Sequence, residues 1–288
     1  MYAGSSFDFS AGTNGKLFKS THGGATWDTL LWGGGYQEIV IDPSNPEIVY
    51  AVPGGIVKSA DGGKTWQNKS NGIFIDFETN VLCLVLDPVD PNVLYAGTGG
   101  FHGGDLYKTT DGGENWFSIA SNDTIPESKT AITVDPSNHN TVYVGISAGL
   151  LFRSTDAGGS WTQIDLGVVG RRIFDICVDW TDSQQILVGL NLIGIWKSDD
   201  GGNTWQEFSE GLSDTVSALR ILKRPNSETI FVIAAQPDGS GVYRRQAAFW
   251  QGLGVGDIVI SSSSDMVFRY DGSAIYLGAY RGLYGITL

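Results

Sequence analysis

Ser59-Ala60-Asp61-Gly62-Gly63-Lys64-Thr65-Trp66 is one of five segments built to a single pattern, Ser/Thr-x-Asp-x-Gly-x-x-Trp. The others occupy 20–27, 109–116, 154–161 and 198–205, so the tryptophans fall 39 to 50 residues apart. The first copy departs from the pattern, carrying His22 where the aspartate belongs. A short alternating run precedes each segment and starts 11 residues before its tryptophan, at 16–19, 55–58, 105–108, 150–153 and 194–197. Looser copies at 241–244 and 282–285 bring that run to seven.

Upstream lies a second recurring run, Tyr2-Ala3-Gly4, Val49-Tyr50-Ala51, Leu94-Tyr95-Ala96, Val142-Tyr143-Val144, Leu187-Val188-Gly189, Ile230-Phe231-Val232 and Ile275-Tyr276-Leu277. A third ends in an Asp-Pro turn at 39–43, 84–88 and 132–136, with looser copies ending at Asp179 and near Arg224-Pro225. Short β-branched and aromatic runs bounded by Gly, Pro, Asn and Asp read as strands and are too brief for helices. Four such strands in a period of about 45 residues are the signature of a β-propeller blade. An open array of blades would leave apolar faces bare at its ends, so the repeats are expected to close into a ring. The expected fold is an all-β, seven-bladed β-propeller of four-stranded antiparallel blades. It forms a single domain over 1–288, with repeats starting near 2, 36, 81, 130, 172, 216 and 257.

The chain opens in a second strand and ends in a third, so the first blade lacks an inner strand and the last an outer one. The run 257–262 is surplus to the repeat and serves either as a patch or, in another register, as the inner strand of the last blade. Otherwise a neighbouring chain covers the incomplete edges.

Composition narrows the partners. With 18 basic and 31 acidic residues the net charge is −13, which disfavours nucleic acid and anionic membrane surfaces. The 40 glycines come with 9 prolines and 41% hydrophobic residues, a profile of neither collagen nor disorder. Only Cys83 and Cys177 are present, so no disulfide framework is expected. The longest purely apolar run, 81–86, is far too short to insert in a membrane. The opening Met1-Tyr2-Ala3-Gly4 does not read as a secretory leader. His22, His102 and His139 fall on different repeats, so no metal or other cofactor is expected.

The five segments resemble the Asp-box, or bacterial neuraminidase repeat. Propellers that carry it include sialidases, oligoxyloglucan-hydrolysing glycosidases, sortilin-type receptors and photosystem II assembly factors. The resemblance implies a peripheral, structural role for the box, here Ser59, Asp61, Trp66, Asp111, Trp116, Asp156, Trp161, Asp200 and Trp205. Glycine at the tip permits positive φ, the carboxylate takes up turn amides, and the tryptophan packs the turn on the sheet. The resemblance also implies an extracellular or cell-surface location. A sialidase of this type needs an Arg-Ile-Pro segment, which is absent. A xyloglucan-active enzyme places an aspartate where this chain reads Ala51-Val52-Pro53-Gly54-Gly55.

Antiparallel connectivity puts Asp-Pro and box turns on one face and the remaining loops on the other. The second face is expected to bind. It is expected to present Phe7, Trp32, Tyr36, Phe74, Phe77, Phe101 and His102, with Asp8, Asp76 and Glu78 as candidate carboxylates for acid–base chemistry. Aromatic faces beside carboxylates suit sugar rings and also protein partners. The expected function is a non-catalytic recognition or scaffold module for a glycan or a cell-surface protein. The alternative is a glycoside hydrolase on the same scaffold.

Overall fold

Strand length here is set by punctuation: glycine, proline, asparagine and aspartate interrupt the apolar runs every few residues, and no helix occurs among the described residues. The computed structural model describes residues 2–4, 15–22, 25–33, 35–168, 170–224, 227–237, 239–246, 248–253, 265–268, 274–279 and 282–287.

These residues form seven antiparallel sheets in chain order. The first has three strands, Tyr2–Gly4, Lys16–Lys19 and Asp28–Trp32 (β1–β3). The second has Ile39–Ile41, Val49–Ala51, Val57–Ser59 and Gln67–Asn68 (β4–β7). Thr79–Leu86, Leu94–Gly100, Leu106–Thr109 and Phe117–Ala120 (β8–β11) make the third. Lys129–Val134, Val142–Ile146, Leu151–Ser154 and Thr162–Ile164 (β12–β15) make the fourth. The fifth is Ile173–Val178, Ile186–Leu190, Gly194–Ser198 and Gln206–Glu207 (β16–β19). The sixth is Ser217–Lys223, Ile230–Gln236, Gly239–Gln246 and Phe249–Gly252 (β20–β23). Asp265–Phe268, Ala274–Ala279 and Gly282–Thr287 (β24–β26) form the three-stranded last sheet.

The innermost strands pack in sequence, β4 on β8, β8 on β12, β12 on β16, β16 on β20 and β20 on β24. Strand β1 then meets both β25 and β4, which closes the ring within one chain. Among the described residues the first sheet has no strand inside β1 and the last none outside β26. Among the described residues the inner strand of the last sheet is Asp265–Phe268, paired with β25. Residues 257–262, expected as a patch or as the inner strand of the last blade, lie outside the described residues.

The core lies between neighbouring sheets. Second strands such as Val142–Ile146 are buried at every position, so they read as continuous apolar runs. Close approach is made possible by missing side chains: a Cβ on Gly97 would stand 2.6 Å from Cβ of Lys129, and one on Gly145 would stand 2.4 Å from Cγ2 of Ile173. Four inner strands, β8, β12, β16 and β20, share a bulge in which Leu82, Thr130, Phe174 and Leu219 are skipped in the pairing.

The boxes are hydrogen-bonded turns. The Ser59 hydroxyl donates to Asp61 Oδ1 at 2.8 Å and accepts the Gly63 N–H at 2.7 Å. Asp61 Oδ1 also accepts the amides of Lys64 and Thr65 at 3.0 and 2.9 Å, and Oδ2 accepts the Thr65 hydroxyl at 2.6 Å. Asp111, Asp156 and Asp200 repeat the arrangement. Trp66 and Trp205 donate to the glycine carbonyls of their own turns, whereas Trp116 donates to Lys69 of the preceding sheet at 2.8 Å. Trp161 packs in the core between the third and fourth sheets. In the first turn the His22 ring takes the carboxylate's place, its Nδ1 lying 2.9 Å from the Thr26 hydroxyl and 3.4 Å from that of Thr21.

Each box also grips its neighbour. Lys58 Nζ and the Tyr50 hydroxyl, opposite one another in the second sheet, both donate to the Gly112 carbonyl in the next box at 3.0 Å. Lys108 and Tyr95 do the same to Ala157 at 2.8 and 3.2 Å. Lys19 reaches Gly62 at 2.7 Å, and Arg153 reaches Gly201 at 3.0 Å. Tyr50 is 1% exposed, so its hydroxyl has no water to fall back on.

Tyr50→Phe is expected to destabilise by about 1–2 kcal/mol in urea unfolding. Because Lys58 shares the acceptor, Tyr50→Phe with Lys58→Met should cost less than the sum of the single changes. Strict additivity would show that the two donors act independently.

Hydrogen bonds to the neighbouring hydroxyls and amides hold the carboxyls of Asp61, Asp111, Asp156 and Asp200 down at about 2. The same carboxyls in the unfolded chain titrate near about 4, so on acidification the unfolded state takes up protons first. Box stabilisation is therefore complete above about pH 4 and lost as pH falls toward 2. Asp61→Asn with Asp111→Asn should lower stability at pH 6 and flatten its decline between pH 4 and 2, as read by urea unfolding across that range.

Candidate functional site

The loops opposite the boxes gather at the junction of the second and third sheets. The connection from β7 to β8 carries Phe74 and Phe77, and the hairpin between β9 and β10 carries Phe101 and His102. Phe74, Phe77 and Phe101 are 66, 91 and 87% exposed. His102 Nε2 lies 3.6 Å from Glu78 Oε2, which brings the two loops together, and the Phe101 and His102 rings meet edge to face at 5.2 Å. Burial of such rings is worth roughly 1.5–3 kcal/mol each when a partner covers them.

The loops are held in place from beneath. The Tyr107 hydroxyl accepts the Phe74 N–H at 3.3 Å. Asp76 Oδ1 accepts the amides of Glu78 and Thr79 at 2.9 and 2.7 Å. Lys129, fully buried, donates through Nζ to the carbonyls of Gly104, Ile125 and Glu127, which ties the hairpin bearing Phe101 to the following loop. Desolvation lowers this ammonium to about 8. The rings thus stand on a fixed base.

The expected site residues divide. Phe74, Phe77, Phe101, His102, Asp76 and Glu78 come together at one corner. Phe7 and Asp8 lie outside the described residues, and Trp32 ends β3 with its ring outside them also. Tyr36 is corrected: it is 2% exposed, packs in the core of the first two sheets beside Gly4, and presents no face to a ligand. Burial pushes its phenol up to about 12. Asp76 is a turn residue: the Glu78 amide, first among its hydrogen bonds, holds its carboxyl below the usual range, opposite to the rise a general acid needs.

Three features lay beyond the sequence reading. Arg220 on β20 reaches Glu38, just before β4, at 3.0 Å across the central channel, with Asp175 at 4.0 Å. On the Asp-Pro side the channel holds a cavity of about 500 Å³ between the inner strands, with Trp180 at its rim. The third is Lys129. A charged residue within or opening an apolar inner strand is the signal that marks Arg220 and Lys129. Among the described residues, no group of three or more His, Cys, Asp or Glu side chains is placed to hold a metal ion.

No protein-family model and no curated protein matches the sequence. Solved structures do. The chain superposes on an ancestral GH74 enzyme with a TM-score of 0.70 and 21% identity, over 88% of this chain and 36% of that one. It superposes on YCF48 bound to a D1 peptide with a TM-score of 0.66 and 17% identity, over 99% and 90% of the two chains. An auxiliary nutrient binding protein from Bacteroides thetaiotaomicron gives 0.59 and 12%, over 88% and 69%. The chain spans less than half the length of the GH74 structures at the head of these matches. The fold is that of a β-propeller, and propellers of this shape include both glycosidases and proteins that bind without catalysis.

Asp76→Ala would free the amides of Glu78 and Thr79. Hydrogen exchange at 76–79 should accelerate while the second strands keep their protection. Unchanged exchange at 76–79 would show that the carboxylate does not set the loop.

Proposed function

We propose that the chain is a non-catalytic recognition module, one propeller domain over 1–288, that docks a polypeptide through Phe74, Phe77 and Phe101. The observation that carries this reading is the exposure of three phenylalanine rings on one corner of a pinned loop face. Isolated exposed rings are ordinary, but three on two loops joined by the His102–Glu78 contact offer apolar area for a partner to cover. Phenylalanine brings apolar area without a hydroxyl or indole N–H, so it fits the apolar side chains of a peptide better than sugar hydroxyls. Asp76, Glu78 and the overall charge of −13 favour basic residues flanking the apolar anchor. The peptide-bound YCF48 structure, of similar fold, supports a propeller in this role.

A glycan is the second reading, supported by the fold shared with GH74 enzymes and by carboxylates beside the rings. A secreted or cell-surface setting is part of the proposal and rests on the Asp-box resemblance.

Selection from a displayed peptide library should return apolar-basic sequences, and Phe77→Ser with Phe101→Ser should weaken them at least about tenfold with melting temperature unchanged. The same sample is to be tested on a glycan panel and for reducing-sugar release from mixed polysaccharides. Hydrolysis abolished by Glu78→Gln would overturn the reading, as would glycan binding lost in the phenylalanine variant with no peptide selected.

A further inference from the structure

The cavity of about 500 Å³ in the channel shares no residue with the phenylalanine corner. It runs between the inner strands β4, β8, β12, β16 and β20, each of which stands at one end of its sheet. The Arg220–Glu38 ion pair crosses one end of the cavity, from the sixth sheet to the second. At the other end stand Pro43, Pro88 and the exposed Trp180, in the turns that follow β4, β8 and β16. The space therefore has a polar floor and an apolar mouth on the Asp-Pro side.

Its walls are apolar and the charges on its floor already serve one another. Ile39, Leu84, Ile132, Ile176 and Ile221 line it at one level of five consecutive sheets. Among the described lining residues only Glu38, Asp175 and Arg220 carry a charge. The Arg220 guanidinium meets Glu38 at 3.0 Å and lies 4.0 Å from Asp175. Asp175 in turn accepts the amides of Ile176 and Ile221 at 3.0 and 2.7 Å. Burial pushes the Cys83 thiol up to about 12, so it stays neutral and donates to the Lys129 carbonyl at 3.3 Å. An anion entering here would face two carboxylates and a cation would face the guanidinium, and desolvating either would go uncompensated.

The backbone supplies the remaining polar groups. Glu38 and Asp42 bond to the second strand of their sheet, so the alternation of an antiparallel ladder turns the amides and carbonyls of Ile39 and Ile41 toward the channel. The same alternation at Asp87 and Asp135 turns those of Leu84, Leu86, Ile132 and Val134 inward. These are neutral donors and acceptors set between apolar side chains.

We infer that the channel is a binding site for an uncharged, mainly apolar small molecule with a single hydrogen-bonding group, which enters past Trp180. The cavity volume falls within the roughly 300–1,000 Å³ of sites that enclose such molecules, and a few fixed polar groups among apolar walls are what orients them. The Trp180 ring gives the mouth an aromatic face to lay against the ligand. The site opens on the side of the ring opposite Phe74, Phe77 and Phe101 and is independent of their role.

The test is fluorescence titration of the full chain with N-phenylnaphthylamine, an uncharged dye with one N–H, and with anilinonaphthalene sulfonate, the same skeleton bearing an anion. The uncharged dye should bind saturably, one per chain, and at least about tenfold more tightly than the sulfonate. Intermolecular NOEs should connect it to methyl groups of Ile39, Ile132 and Ile221. Thr133→Phe, which places a ring in the cavity, should weaken the dye at least about tenfold. Trp180→Ser, at an exposed position that leaves the fold intact, should weaken it about threefold. Phe77→Ser with Phe101→Ser should leave the titration unchanged. The inference is overturned by absence of saturable binding, which would mean a channel filled by water alone, or by equal affinity for the two dyes. NOEs confined to the phenylalanine corner, or unaltered binding in both Thr133→Phe and Trp180→Ser, would overturn it as well.

Discussion

The hydrogen bonds that converge on a box carbonyl from the preceding sheet are the constraint on which this ring depends. Within a sheet the strands are registered by their ladders, but two sheets meet through apolar side chains, and apolar contact alone has no direction. The bonds from Tyr50 and Lys58 to Gly112 supply that direction across 62 and 54 residues of sequence. They exist only because the box presents its carbonyl at a fixed point. That point is set in turn by Ser59-type hydroxyls and Asp61-type carboxylates that consume the amides of the turn. A local motif of eight residues thereby fixes a long-range relation, and repetition carries it from sheet to sheet.

Much of this was legible because the motif is local. Spacing within the boxes gave the turns, the alternating runs gave the strands, and antiparallel connectivity assigned Phe74, Phe77 and Phe101 to the face opposite the boxes. What escaped the sequence depends on contacts between distant segments. Tyr36 reads as an exposed loop ring, yet it is buried because Gly4, 32 residues earlier, lets its Cβ close to within van der Waals range of the first sheet. Nothing in the run around Glu38 announces that Arg220, 182 residues away, will meet it across the channel. The bulges at Leu82, Thr130, Phe174 and Leu219 leave no local mark either, since a skipped residue in a strand has the same composition as a paired one.

The two faces divide the work. On the box face, polar groups are taken up by turns and by bonds to the next sheet, which leaves little chemistry to offer a partner. On the other face, the described loops are anchored at their bases by Tyr107, Asp76 and Lys129, and their tips carry apolar rings that the core does not need. Lys129 shows the coupling between the two demands. A buried ammonium is costly to desolvate, but its three donors each meet a loop carbonyl, so the same group that burdens the core fixes the hairpin of Phe101.

The junction of the fifth and sixth sheets is the exception that clarifies the rule. Where the box is lost, the tyrosine that bonds its carbonyl at two other junctions is absent as well: Leu187 stands at the position of Tyr50 and Tyr95. Had tyrosine remained, its hydroxyl would face the interior with no acceptor, at a cost of about 1–3 kcal/mol. Leucine removes that cost while keeping the apolar packing, and Leu187 is 4% exposed. Lysine at 197 needs no such replacement, because its longer chain turns outward to Asp199 and stays partly solvated. The changes at 187 and in the sixth box therefore remove donor and acceptor together, so the junction keeps its apolar packing without leaving a buried hydroxyl unpaired.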